Sequence, residues 1–169
     1  MKEIIDLLHT QKCSCVIAGA AGEIRSFHQR GVADLYTLLC QEPQFLHGAS
    51  VADKVVGKAA AALMVKGQIK ELYTDTISTP ALKLLQAAHI PVEYTQAVPY
   101  IRNRDNTGWC PLKTRCYEED SIDILFTIID RFINPTSTFP PQNFPVIQHL
   151  QFLHIYCGYY KFSNSTELG

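Results

Sequence analysis

From residue 70 to residue 98 the apolar period changes twice, and that alternation constrains the fold more than any other feature. Residues 70–77 (KELYTDTI) have the character of a strand, residues 81–89 that of a helix, and residues 91–98 (PVEYTQAV) again that of a strand. Two strands joined through a helix pair in parallel, because an antiparallel pair needs only a tight turn. Ser78-Thr79-Pro80 suits the start of the intervening helix. It supplies a hydroxyl cap and a proline in the first turn, where no backbone donor is needed. Upstream, Ser50 is the candidate N-cap of a longer helix over residues 51–66 (VADKVVGKAAAALMVK), closed by Gly67. The second half of that stretch is apolar nearly all round, so it is expected in the interior.

The first thirty residues carry a different pattern. Residues 1–12 place apolar side chains at 4, 5, 7 and 8, as an amphipathic helix does. Residues 13–20 (CSCVIAGA) and 23–29 (EIRSFHQ) read as two strands joined at Ala21-Gly22, an antiparallel hairpin. Residues 32–40 are helical, with Leu35, Leu38 and Leu39 on one face, and Pro43 breaks the run. After a polar loop at 100–109, a helix opening at Cys110-Pro111 runs to Phe132 with a break near 118–120, and Asn134-Pro135 stops it. The expected fold class is α/β: a three-layer α/β/α sandwich with a mixed sheet over residues 1–133. A C-terminal appendage over 134–169 differs in character. It is rich in aromatics and has only Lys161 and Glu167 as charged groups in residues 135–169. It is expected to dock on the domain or on a second copy, so a homo-oligomer is anticipated; residues 151–162 fit strand or helix equally.

Composition removes several function classes. The chain has 169 residues, 47% hydrophobic and 18% charged, which excludes global disorder. No run approaches the ~20 apolar residues that cross a bilayer, and residues 1–12 lack the pattern of an export signal, so neither membrane insertion nor secretion is expected. The 15 Lys and Arg against 16 Asp and Glu exclude a general nucleic-acid binder, which needs a large positive field. The acidic excess lies after residue 118, so the earlier part could still accept one small anion. Cysteines at 13, 15, 40, 110, 116 and 157 do not read as a disulfide framework, and a reducing cytoplasmic setting is expected.

The element order of helix, hairpin, helix, strand, helix, strand resembles the cytidine deaminase-like superfamily. Residues 49–94 and 103–111 (NRDNTGWCP) are similar to a bacterial branch of it that carries only a domain-of-unknown-function label. The resemblance covers residues 1–133. It implies a site built at two helix starts, where the zinc enzymes carry His (or Cys)-x-Glu and Pro-Cys-x-x-Cys. Here those slots fall on Val51-Ala52-Asp53 and on the segment from Ser78 to Leu82. Asp53 stands where the glutamate would be, Val51 cannot bind a metal, and Thr79 and Leu82 take the cysteine positions. The chain contains no Cys-x-x-Cys and no His-x-Glu, so no metal, no cofactor and no zinc-dependent deamination are expected.

The candidate site follows from these positions. Asp53, Lys54 and Lys58 are expected at one helix entrance, with Lys54 and Lys58 on one face, opposite Ser78 and Thr79. Two helix starts and one or two lysines would suit a phosphate or carboxylate. The plainer alternative is a first-turn acid complementing the helix dipole beside solvated lysines. Asn103, Arg104 and Trp109 form a second candidate surface, where the indole could stack on a planar ring and the guanidinium take an anion. Cys110 at a helix start could be an activated thiol or simply a buried one. Cys13 and Cys15, two apart, are expected on one strand face with His28 nearby, most simply as small core residues. The leading function is a small anionic or nucleotide-like ligand bound without deamination. The alternatives are an enzyme of non-zinc chemistry using Asp53, Lys54 or Cys110, and a protein-interaction or oligomerisation module.

Overall fold

The computed structural model describes residues 1–29, 32–101, 111–116 and 118–135. The amphipathic start forms α1 (Lys2–Thr10), which buries Ile4 and Leu8. β1 (Cys15–Ala18) and β2 (Ile24–Phe27) form the hairpin, and Gly22 takes a positive φ of 89° at the turn, where a residue without Cβ is unstrained. α2 (Ala33–Gln41) follows, and Pro43, rather than only breaking it, opens a short α3 (Pro43–Leu46).

The largest departure from expectation comes next. Residues 51–66 are not one helix. Ser50–Val56 is a strand, β3, and only Lys58–Lys66 is helical, as α4, with Gly57 between them as N-cap. Val51, Val55 and Val56 are β-branched and prefer the pleated surface, and the strand is central in the sheet, with Val51, Ala52, Asp53 and Val56 buried. β4 (Glu71–Ser78), α5 (Thr79–Ala87) and β5 (Val92–Val98) match the expected alternation, and Ser78 caps α5 by accepting the Ala81 N–H at 3.4 Å. The last helical stretch divides, as expected, into α6 (Pro111–Cys116) and α7 (Ile122–Ile133).

The sheet order is β2-β1-β3-β4-β5. β1 is antiparallel to both β2 and β3, while β3, β4 and β5 are parallel. Helices cover both faces. On one, α1 packs over Val16 and Ala52 in a small cluster. On the other, α2 to α7 close a larger core around Ile17, Leu39, Val51, Leu63, Met64, Leu72, Leu85, Leu125 and Ile129. Cys13 and Cys15 therefore do not share a face. Cys13 precedes β1, so the strand period does not reach it; it packs with α1 while Cys15 joins the larger core. No described helix is long and apolar enough to cross a membrane.

Candidate functional site

Parallel pairing makes β3, β4 and β5 leave the sheet at one end. β3 passes through Gly57 into α4, β4 passes from Ser78 into α5, and β5 continues into Pro99, Tyr100 and Ile101. The crevice outside the carboxyl ends of such strands is where open α/β sheets hold ligands. A pocket of about 400 Å³ lies there, lined by Val55, Thr76, Val98, Pro99, Tyr100 and Ile101. Its lining is mainly apolar, with the Thr76 hydroxyl accepting the Gln96 amide at 3.1 Å.

Asp53 lies one row deeper on β3. Register places Cys15, Asp53, Thr74 and Tyr94 across the sheet, with Val55, Thr76 and Gln96 in the next bonded row, of which Val55 and Thr76 line the pocket. The Asp53 side chain is not at a helix entrance. It is 8% exposed, accepts the Val55 N–H at 2.9 Å and hydrogen-bonds the Cys15 thiol. Burial pushes its carboxyl up to about 7, opposed by the Val55 N–H and the Cys15 thiol, with Asp75 adding to the rise. Burial and the neighbouring Asp53 together raise the Cys15 thiol, so both groups keep their protons more readily than in water. Asp34, at the start of α2, is also raised by burial, against the Gln29 N–H and His28. One of its oxygens, Oδ2, is buried without a hydrogen-bond partner.

The other expected site residues are dispersed by the strand at 50–56. Lys54 sits on β3 and Lys58 opens α4, so they do not share a helix face. Lys58 Nζ is bonded to Asp120 at 2.7 Å with its side chain 9% exposed, which holds the Asp120 carboxyl below its usual range. Ser78 is spent on capping α5, and the Thr79 hydroxyl donates to Val98 O at 3.2 Å, tying the start of α5 to the end of β5. Asn103, Arg104, Trp109 and Cys110 lie outside the described residues.

Of the two motif slots the first shifts, while the second lies at a helix start as expected, with Ser78 capping α5. Val51-Ala52-Asp53 is mid-strand, and the helices that directly follow β2, β3 and β4 start at Ala33, Lys58 and Thr79. The residues there, Asp34, Lys58 and Thr79, do not supply the His and Cys donors of a catalytic zinc site, so no step is routed through a metal. Among the described residues no group of three or more His, Cys, Asp or Glu side chains is placed to hold one. Sequence reasoning missed Val55, Thr76 and the run Val98 to Ile101. The signal was available: residues that follow the carboxyl end of a parallel strand are the default lining of such a crevice.

Fold and site together define a mixed five-strand α/β domain with a carboxyl-end crevice and, among the described residues, no zinc-ligand set at its helix starts. Residues 3–133 match the family described as TM1506, domain of unknown function DUF1893, and the chain belongs to it. The solved structure of the DUF1893 family protein TM1506 from Thermotoga maritima is similar in fold. It has a TM-score of 0.69 and 24% identity over 76% of this chain and 86% of that one. RibD of Acinetobacter baumannii shares 18% identity over 56% of this chain and 33% of its own, with a TM-score of 0.37. No curated protein matches the chain.

Proposed function

We propose that the domain binds a small nucleotide-like ligand, an apolar ring with an anionic group, in the carboxyl-end crevice and does not deaminate it. The reading keeps the deaminase-like resemblance for the fold and drops the zinc chemistry. One observation carries it: the pocket of about 400 Å³ sits at the mouth of the parallel strands, beside the starts of α4 and α5. Val55, Val98 and Ile101 offer apolar surface to a ring. The N-terminal N–H groups of the two helices favour negative charge at the rim. The earlier location at the start of a helix over residues 51–66 moves accordingly to the start of α4.

The test is a thermal-shift screen of the purified protein against nucleosides, nucleotides and sugar phosphates. A ligand at ~100 times its dissociation constant adds about 2.7 kcal/mol, a shift easily read. The expected result is a shift with a phosphorylated compound that Val55→Trp abolishes. Val55 is 47% exposed, so the larger ring fits the fold while filling the pocket. No shift with any compound, or an equal shift in the variant, contradicts the reading.

A second reading is favoured by Asp53 alone. A carboxyl poised near 7 beside a thiol suits proton transfer, the non-zinc enzyme named above. Turnover of any ligand found in the screen, lost in Asp53→Asn, supports it; unchanged turnover removes it.

A further inference from the structure

β5 is the outer strand of the sheet, and residues 93 to 97 are exposed without exception, on both faces. That is unusual for a parallel strand, since parallel pairs are ordinarily covered on both sides. Of the usual protections of a free edge it carries only a single charge near one end. The strand runs seven residues, Val-Glu-Tyr-Thr-Gln-Ala-Val, without proline, glycine or lysine, and Glu93 is its one charge.

The backbone says which groups face outward. In a parallel pair, alternate residues turn both N–H and C=O to the neighbour. The Leu72 N–H bonds Pro91 O at 3.0 Å and Leu72 pairs with Val92, so Glu93, Thr95 and Ala97 bond β4. Val92, Tyr94 and Gln96 therefore present their backbone groups to the outer edge, with no described residue paired there.

We propose that this edge pairs antiparallel with β5 of a second copy about a two-fold axis at Thr95. In that register Tyr94 exchanges both backbone bonds with the partner's Gln96. Thr95 stands opposite the partner's Thr95 in a close, non-hydrogen-bonded pair, and Glu93 meets the partner's Ala97, so no like charges oppose. Shifting the register toward Glu93 against the partner's Glu93 shortens the ladder and opposes two carboxylates. The charge pattern and the edge geometry thus select the same pairing. The pairing also puts the partner's Val92 beside Val98, on the rim of the crevice, so the second copy completes the outer wall of the pocket. The pairing itself does not depend on the pocket holding a ligand.

The experiment is sedimentation of the full chain across low to high micromolar concentration, with Thr95→Lys, Thr95→Glu and an equal mixture of the two. Thr95 is exposed, so neither charge disturbs the interior. The wild-type chain is expected as a dimer. Each variant alone should weaken it about tenfold or more through opposed like charges, and the mixture should restore it. Unchanged melting temperatures show that the variants fold. Thr95→Cys gives an independent reading: oxidation should produce a covalent dimer that the wild-type chain, with its own cysteines, does not form. A wild-type monomer at all concentrations overturns the proposal, and so does a dimer indifferent to both charges. A monomer would instead fit an edge covered by the chain's own residues 136–169. Ligand binding that survives in a monomeric variant separates this proposal from the pocket reading.

Discussion

Replacing Asp53 by Asn should stabilise the protein at neutral pH and do almost nothing in acid. Burial raises the Asp53 carboxyl from an ordinary 3.8 to about 7 in the folded chain. Below about pH 4 the group is neutral in both states, so folding is not opposed by its charge. As the pH rises, the unfolded chain ionises first, and folded stability falls until about pH 7, above which the loss is constant. The gap of about three pH units, at about 1.4 kcal/mol each, is worth up to about 4 kcal/mol at pH 8. The amide mimics the neutral acid, and its oxygen can still accept the Val55 N–H, now 2.9 Å from the carboxyl. Urea unfolding of both proteins at pH 4.5 and pH 8 reads mainly this group, because titrations not coupled to Asp53 cancel in the difference and the Cys15 thiol it touches stays protonated in the folded chain at both pH values. The variant should gain about 2–4 kcal/mol at pH 8 and far less at pH 4.5. A variant that is less stable at pH 8, or a difference that does not change with pH, refutes the account of a carboxyl strained by burial.

Two further outcomes follow from packing and capping. A Cβ on Gly19 would lie 2.8 and 2.9 Å from the Phe45 ring, itself held under the Arg25 guanidinium. Gly19→Ala should therefore cost about 1–3 kcal/mol in denaturant unfolding. Ser78→Ala removes the cap of α5 and should cost about 1 kcal/mol, read as a lower thermal midpoint.

How much of this was legible from the residues differs along the chain. The hairpin, α5, β5 and the two C-terminal helices could be read because each has a clear period or an unambiguous terminus, Ser78 and Asn134 among them. Residues 51–66 could not. A seven-residue, largely buried strand followed by an alanine-rich buried helix gives a mostly apolar stretch interrupted at Asp53, Lys54 and Lys58, in which neither period of 2 nor of 3.6 stands out. The cue that was underweighted is local: three β-branched valines before Gly57 and four alanines after it. That misplacement carried the candidate site with it. Placed on a helix, Asp53 is an exposed first-turn acid; placed on β3, it is a buried carboxyl against Cys15, a contact between strands that no spacing reveals. The pairing of Lys54 with Lys58 failed for the same reason, and Lys58 found its partner in Asp120, 62 residues away. The strand–helix order itself was legible, and it places the starts of α4 and α5 at the same end of the sheet.

The claim that the carboxyl-end crevice is a ligand site is tested most directly by amide and methyl chemical-shift mapping on the purified chain. The probe is the phosphorylated compound giving the largest thermal shift. The account predicts perturbations concentrated at Val55, Thr76, Val98, Tyr100 and Ile101, with the N–H groups at the starts of α4 and α5 moving alongside them. Saturable shifts centred elsewhere, or none in this crevice at millimolar ligand, would contradict it.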